Sequence, residues 1–515
     1  MNLQSSIEFS ATATVPTLLA TRKRYDALLF IVIFVTVFSI TPLLVLGGAN
    51  IGFSLVLDVL GGLVLLTVSA LIVLWPVTGF YVVVGLVVLI EEGPLSTPIL
   101  TDRLNVFYWP PALEGLIERP IGFLFIFILL VFVCHRFISR QWLLRGGSLL
   151  LPFLLYLLCV AAGVVHGLTS GGDFKMIVGE IRPFWYLFVS YLLAYNLVTQ
   201  KSHIRTLFWI VILGAFVKAV QGIYIFLVIF HVDMSTKLAV MSHEESFFFA
   251  GLLLLLLLFC LHYRYRPQLY ATLLILPCVL VALIANQRRA DYVALLIGIV
   301  VAWTIIFCVR PNARKWLVAG MLVCVGLGAG YSIAFSHSTG VFAAPARGIV
   351  SVFQPDPTDT ASIDSNLYRT IENNDLIYTV KQNPLLGLGF GKPFLQPTPL
   401  TSIYPDVLAD DPVYNYVPHN TIYWIWMRLG AIGFLAFWYL FGAIIVRGCL
   451  IARQLKDSYL QLVAIFIVAV MFMEIVVAFA DYQLYFFRNV IYVGLLIGVL
   501  VKLPALDERK RMASI

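Results

Sequence analysis

The sequence is short of charge. Of its 515 residues, 12% are charged and 61% are hydrophobic, whereas a soluble domain carries about 25% charged and about 45–50% apolar residues. Half the usual charge does not cover the surface of a water-soluble chain of this length. That excludes a soluble enzyme, a disordered chain and a nucleic-acid binder. Cysteine is sparse and scattered: Cys134, Cys159, Cys260, Cys278, Cys308, Cys324 and Cys449 lie in apolar runs or beside basic loops, with no CxxC pair, so there is no disulfide framework. Nucleotide motifs are missing. Gly387-Leu388-Gly389-Phe390-Gly391 follows no strand, and Lys392 precedes Pro393 rather than Ser or Thr, so these glycines read as turn geometry, not a phosphate loop. Neither a fixed-period repeat nor paired broken helices are evident, which weighs against a secondary transporter.

What is present is apolar length. About fourteen runs of roughly 17–25 residues recur between residues 27 and 503, the length that a bilayer core requires. They lie near 27–47, 50–75, 77–91, 120–137, 147–167, 184–199, 205–230, 246–262, 267–287, 290–309, 316–336, 421–446, 459–480 and 484–503. The third and sixth are short. The expectation is an all-α polytopic integral membrane protein with 12–14 transmembrane helices. The run after Arg22-Lys23-Arg24 is too long for a signal-peptide core and lacks a small-residue cleavage site, so it reads as a retained span.

Basic residues recur at every second connection: Arg22/Lys23/Arg24, Arg136/Arg140/Arg145, Lys201/Arg205, Arg264/Arg266, Arg310/Arg314/Lys315, Arg447/Arg453/Lys456 and Lys502/Arg509/Lys510/Arg511. By the positive-inside rule these mark the cytoplasm, with both termini there. The formal net charge of +7 thereby reports topology and needs no anionic partner. The organisation expected is a cytoplasmic tail (1–26), a transmembrane bundle (27–336), a long extracytoplasmic loop (337–420), C-terminal transmembrane helices (421–503) and a second cytoplasmic tail (504–515). The long loop carries 8 acidic and 4 basic residues. Its periodic stretch from Tyr368 to Val380 predicts short helices within it.

Charges on the opposite side stand out. Arg288 and Arg289, in Asn286-Gln287-Arg288-Arg289-Ala290-Asp291, sit between two apolar runs. Arg at the bilayer centre costs about 2.5–3.5 kcal/mol on insertion scales, less at an interface. Two readings fit: a snorkelling pair at a tight turn, or an anion clamp in which Asp291 offsets one charge. Arg369 lies in the long loop, where a lone arginine is usually just solvated. His419 sits at the mouth of a span after Pro418, with Asn420 beside it. It reads either as a locally bonded helix-start residue or as a group placed to take a proton near neutral pH. Lys175, Glu180 and Arg182 are expected before the sixth span, and His243-Glu244-Glu245 before the eighth. The latter invite a metal reading, but adjacent helical residues do not face one site, and no metal site is expected. Asp481 and Arg488 flank the start of the last span as a possible pair. Lys218, Arg428 and Glu474 are the notable charges within spans.

Three stretches carry a family likeness: Asn286-Gln287-Arg288-Arg289-Ala290-Asp291; Tyr368-Arg369 followed by Asn383-Pro384-Leu385-Leu386-Gly387-Leu388-Gly389; and Pro418-His419-Asn420-Thr421 followed by Leu429-Gly430-Ala431-Ile432-Gly433. In this order, from about residue 283 to 435, they resemble the O-antigen ligase and O-antigen polymerase superfamily. Arg288 stands where that family usually has Ser. The resemblance implies a GT-C-like helical bundle and a membrane glycosyltransferase of cell-surface polysaccharide or lipopolysaccharide biosynthesis, in the bacterial cytoplasmic (inner) membrane. It would be metal-independent, inverting and without a cofactor. Its donor would be a polyprenyl-diphosphate (undecaprenyl-diphosphate) glycan, its acceptor a glycan, lipid or protein hydroxyl, and its surroundings membrane lipid. On this likeness Arg289 and Arg369, with Arg288 assisting, hold the diphosphate, and His419 is the general base. Asn420 and Asp291 support them. A protein O-oligosaccharyltransferase of the same superfamily and a polytopic transporter or flippase are the alternatives.

Overall fold

The computed structural model describes residues 53–92, 118–140, 144–232, 240–262, 266–335, 338, 343, 345–347, 360–400 and 415–512. Their regular structure is helical: α1 (Phe53–Leu74), α2 (Val77–Leu89), α3 (Pro120–Ile138), α4 (Leu150–Thr169), α5 (Phe174–Leu197), α6 (Lys201–Tyr224, continued by a π turn, Ile225–Ile229), α7 (His243–His262), α8 (Arg266–Ala285), α9 (Arg289–Val309), α10 (Arg314–Phe335), α11 (Thr360–Gln382), α12 (Thr421–Gln454), α13 (Ser458–Ala480) and α14 (Phe487–Met512). Among the described residues eleven helices are long and apolar enough to cross a membrane, and two shorter apolar segments, Gly62–Leu74 and Val77–Leu89, accompany them. The chain is a polytopic membrane protein. The expected first span, 27–47, and the tail 1–26 lie outside the described residues.

Two compact units are present. The first holds residues 1–82 and 123–144. Within it the His135 ring bonds the Val73 carbonyl at 2.6 Å, and Gly79 leaves room for Ile128. The second holds residues 83–122 and 145–515 and carries every site discussed below. Its centre is α13, buried on nearly every face. An apolar helix buried all round reads as a core element of a bundle. Gly494 and Gly498 of α14 face the backbone of α5 so closely that a Cβ on either would lie 2.4 Å from a carbonyl oxygen, of Leu187 and Tyr191 respectively. This is the small-xxx-small packing that lets membrane helices approach. By contrast α10 exposes Leu322, Leu327 and Ile333, apolar surface that suits lipid and not water.

One expectation is corrected here. Hydropathy places the sixth span from residue 184, with Lys175, Glu180 and Arg182 in the loop before it. The helix instead starts at Phe174, capped by the Asp173 side chain, which accepts from the Met176 amide at 2.8 Å. Hydropathy undervalues this segment because its charges lower the average, although one of them, Glu180, is satisfied inside the protein. Glu180 is buried and pairs with Arg428 of α12 at 2.5 Å.

That pair anchors a broken helix. Gly430, with φ 63°, interrupts α12. The carbonyls freed there accept from the glycine turn: Leu388 N donates to Met427 O at 2.6 Å, Gly389 N to Arg428 O at 3.2 Å, and Ala431 N returns to Pro384 O at 2.8 Å. Gly387, Gly389 and Gly391 all have positive φ, which confirms turn geometry for this segment. Arg428 also donates to the carbonyls of Gly389 (3.0 Å), Lys392 (2.6 Å) and Tyr416 (2.8 Å), while Glu180 accepts from Gly391 N at 2.6 Å. Every bond made here replaces one that hydrocarbon does not supply. Gly430→Ala is expected to destabilise the protein by more than about 2 kcal/mol, because a left-handed residue gains a Cβ and that Cβ falls 2.1 Å from Leu385 O. Thermal unfolding in detergent measures this, and an unchanged Tm refutes it.

Candidate active site

The glycine turn and the kinked α12 deliver His419 to the end of the second unit where α9 and α12 begin and α13 ends. Asn420 caps α12, its Oδ1 accepting from Tyr423 N at 3.0 Å, while its Nδ2 donates to Asn373 of α11 at 3.0 Å. Asn420 therefore fastens α11 to the mouth of α12. Next to it, Glu372 of α11 grips His419 twice: its Oε2 accepts from the backbone amide and its Oε1 from Nδ1, both at 3.1 Å. The polar face of α11 explains the spacing, since Tyr368 and Glu372 lie one turn apart. The Tyr368 and Tyr482 rings stand edge-on to the imidazole at 5.3 and 5.2 Å between centroids.

With Nδ1 committed as a donor to Glu372, neutral His419 presents the Nε2 lone pair. Burial of the ring opposes its protonation, yet the Glu372 carboxylate beside it, with Asp481, outweighs burial and raises the imidazole above its ordinary value; Arg369 pulls the other way. This is a base strengthened by its partner.

Asp481, just past the end of α13, is the hub. Its Oδ2 meets Nδ1 of His243, its Oδ1 accepts from Tyr482 N at 2.9 Å, and its carbonyl accepts from Thr421 Oγ1 at 3.1 Å. Burial works against its charge, but His243, His419 and Arg369 hold the carboxyl far below the usual range. Arg288, immediately ahead of α9, feels burial first, which disfavours the cation; Asp481 and Asp291 offset this, and Arg369 adds to it. A guanidinium stays charged under such pressure. Among the described residues, neither Arg288 nor Arg369 makes a direct ion pair, and the Nε of Arg288 is buried with no hydrogen-bond partner.

Of the residues singled out from sequence, the structure thus gathers Arg288, Arg369, His419, Asn420 and Asp291 at one locus. Arg289 is the first residue of α9. Glu372 and Asp481 carry the geometry of the site and were missed as members of it. Glu372 is one turn beyond Tyr368 on the predicted loop helix, which is the signal that would have found it. The expected pairing of Asp481 with Arg488 is corrected. Arg488 donates to Glu245 at 2.7 Å and to the Val87 and Val88 carbonyls at 2.8 and 3.2 Å, because the turn between α13 and α14 sends the two side chains to different partners. His243, Glu244 and Glu245 also diverge: His243 goes to Asp481, Glu245 to Arg488 and Lys218. Among the described residues, no cluster of three His, Cys, Asp or Glu groups is placed to hold a metal ion.

Residues 272–438 match the family model of the O-antigen ligases. The likeness is to this segment, 167 of the 515 residues. The match encloses Arg288, Arg289, Asp291, Arg369, Glu372, the glycine turn, His419 and Asn420, and supports a membrane glycan function of ligase or polymerase type. No curated protein matches the chain. In this segment, Glu372→Gln keeps an acceptor for Nδ1 but removes the charge. The imidazole of His419 should then titrate at lower pH than in the wild type. A group whose folded value is raised stabilises the fold below its ordinary value, about 6.5, and loses that contribution as pH rises through the folded value. The stability gap between wild type and Glu372→Gln should accordingly narrow as pH rises past that value. Histidine NMR titration checks the first outcome and unfolding against pH the second; an unmoved His419 titration refutes both.

Proposed function

We propose that this protein transfers or polymerises a glycan from a polyprenyl-diphosphate donor to an acceptor hydroxyl on the outer face of a bacterial cytoplasmic membrane, with both chain termini cytoplasmic. The observation that carries the reading is the convergence of two guanidinium groups, Arg288 and Arg369, with an imidazole, His419, whose Nδ1 is already committed to Glu372.

A glycosyl diphosphate reacts when its leaving group is stabilised and its acceptor loses a proton. In this reading Arg288 and Arg369 bind the diphosphate oxygens, each guanidinium able to engage two, and Arg289 assists, whereas the family resemblance gives Arg289 the leading place and Arg288 the assisting one. They supply the positive charge that a divalent cation gives to many nucleotide-sugar enzymes. The acceptor oxygen attacks the anomeric carbon as its bond to the diphosphate oxygen breaks, and the hydroxyl proton passes to His419 Nε2. Direct displacement inverts the anomeric centre. The α11 segment covers the site and limits water, which would otherwise hydrolyse the donor.

The lipid has a place as well. A narrow apolar pocket lies among α4, α5, α12, α13 and α14, lined by Tyr156, Phe184, Ile425, Leu440, Met471 and Val493, with Glu474 in its wall. Ile425 is six residues beyond His419, about 9 Å along a helix, so a polyprenyl chain seated there keeps its diphosphate near the arginines. Two of the three charges within spans do not favour the transporter alternative. Arg428 is locked to Glu180, and Lys218 to Glu91 and Glu245.

Two tests follow. In proteoliposomes with a polyprenyl-diphosphate glycan, His419→Ala, Arg288→Ala and Arg369→Ala are each expected to lower transfer by at least about 10²-fold, with the fold intact by unfolding assay. Full activity in His419→Ala overturns the general-base role, and unchanged donor binding in the Arg288→Ala, Arg369→Ala double variant overturns the clamp. Ile425→Trp, which fills the cavity near the site, should raise the donor KM severalfold for long polyprenyl chains and leave a short-chain donor unaffected. An equal effect on both places the lipid elsewhere.

A further inference from the structure

His243 opens α7, far in sequence from both arginines, yet its Nδ1 is hydrogen-bonded to Asp481 Oδ2, and its ring is part-exposed beside Tyr482 and Phe486. Asp481 has no freedom to turn away. Its other oxygen holds the Tyr482 amide at 2.9 Å, and Thr421 Oγ1 bonds its carbonyl at 3.1 Å. The carboxylate consequently stands within electrostatic reach of Arg288, Arg369 and His419. An anion fixed there competes with any diphosphate for the same two guanidinium groups. What decides the competition is the charge on its own partner. With His243 protonated, Asp481 is neutralised as an ion pair and the arginines are left to a ligand. With His243 neutral, Asp481 turns its full charge on them.

Resting on the glycan-transfer reading above, we infer that His243 is a positioning residue for the diphosphate clamp, setting through Asp481 how tightly a lipid-linked diphosphate binds. The charged groups facing the pair are Arg288 ahead of α9, Asp291 on α9, Arg369 on α11, His419 ahead of α12 and Glu244 on α7 itself. Of these His419 is also an imidazole, raised against burial above its ordinary value by Glu372 and Asp481, so its contribution has to be silenced to see that of His243.

The experiment measures binding of a prenyl-diphosphate-linked monosaccharide to the full chain in nanodiscs between about pH 5.5 and 8. Such a diester lacks the second phosphate proton that titrates near about pH 6. In a His419→Asn background, donor Kd should rise about tenfold across this range, an ordinary coupling between two sites. Adding His243→Asn, whose side-chain amide keeps a donor at the Nδ1 position without a titrating charge, should abolish the rise and fix Kd at its weak limit. Adding Asp481→Asn instead should fix Kd at its tight limit, with or without His243→Asn. A pH dependence that survives His243→Asn overturns the inference, as does an effect of His243→Asn that persists once Asp481 is Asn. If the wild-type chain binds the probe at no pH, it is the glycan-transfer reading that falls, and the two failures are thereby told apart.

Discussion

The site depends on one buried ion pair. Glu180 and Arg428 meet inside the second unit, away from water, where an unpaired charge of either sign costs several kcal/mol. The two terminal nitrogens of Arg428 also donate to three loop carbonyls, and Glu180 accepts the Gly391 amide. The consequence is mechanical. A helix breaks at Gly430, a glycine turn fills the break, and the stretch leading to His419 is drawn back against the helices. Removing either partner would leave the other charge buried and the turn without its anchor. As for most buried ion pairs, net stability is a weak account of its presence; here it specifies where a loop docks.

Much of the fold was legible from sequence because lipid imposes simple rules. A helix that crosses hydrocarbon must be long and apolar, and the apolar runs beyond residue 50 correspond closely to the helices found. The loop helix α11 announced itself through its period. The start of α5 did not, because Glu180, Arg182 and Lys175 depress hydropathy while pairing and packing are invisible to it. Span prediction treats charge as a solvated end, and Glu180 is a charge that solved its solvation problem elsewhere in the chain.

The site was legible in its cations and less so in its anions. Arg288, Arg289, Arg369 and His419 stand out as charges or ionisable groups on the side where the positive-inside rule does not expect them. Glu372 and Asp481 broke no rule, since acids on that side and near helix ends are ordinary. Their roles come from distance in space across 47 residues from Glu372 to His419 and 238 from His243 to Asp481. The choice between Arg288 and Arg289 likewise rests on where one residue points at the head of α9, a matter that their adjacency in sequence leaves undecided.

The double grip of Glu372 on His419 ties two events into one. Both the backbone amide and the ring of the histidine hang on a carboxylate that belongs to the covering helix α11, not to α12, which His419 precedes. If that cover lifts, the imidazole loses its orientation together with its strengthening partner. On the proposed reading, a site open to bulk water would then be one whose base is disarmed, and the arrangement would work as an interlock: the reagent that wastes the donor would enter when the group that activates the acceptor is out of register.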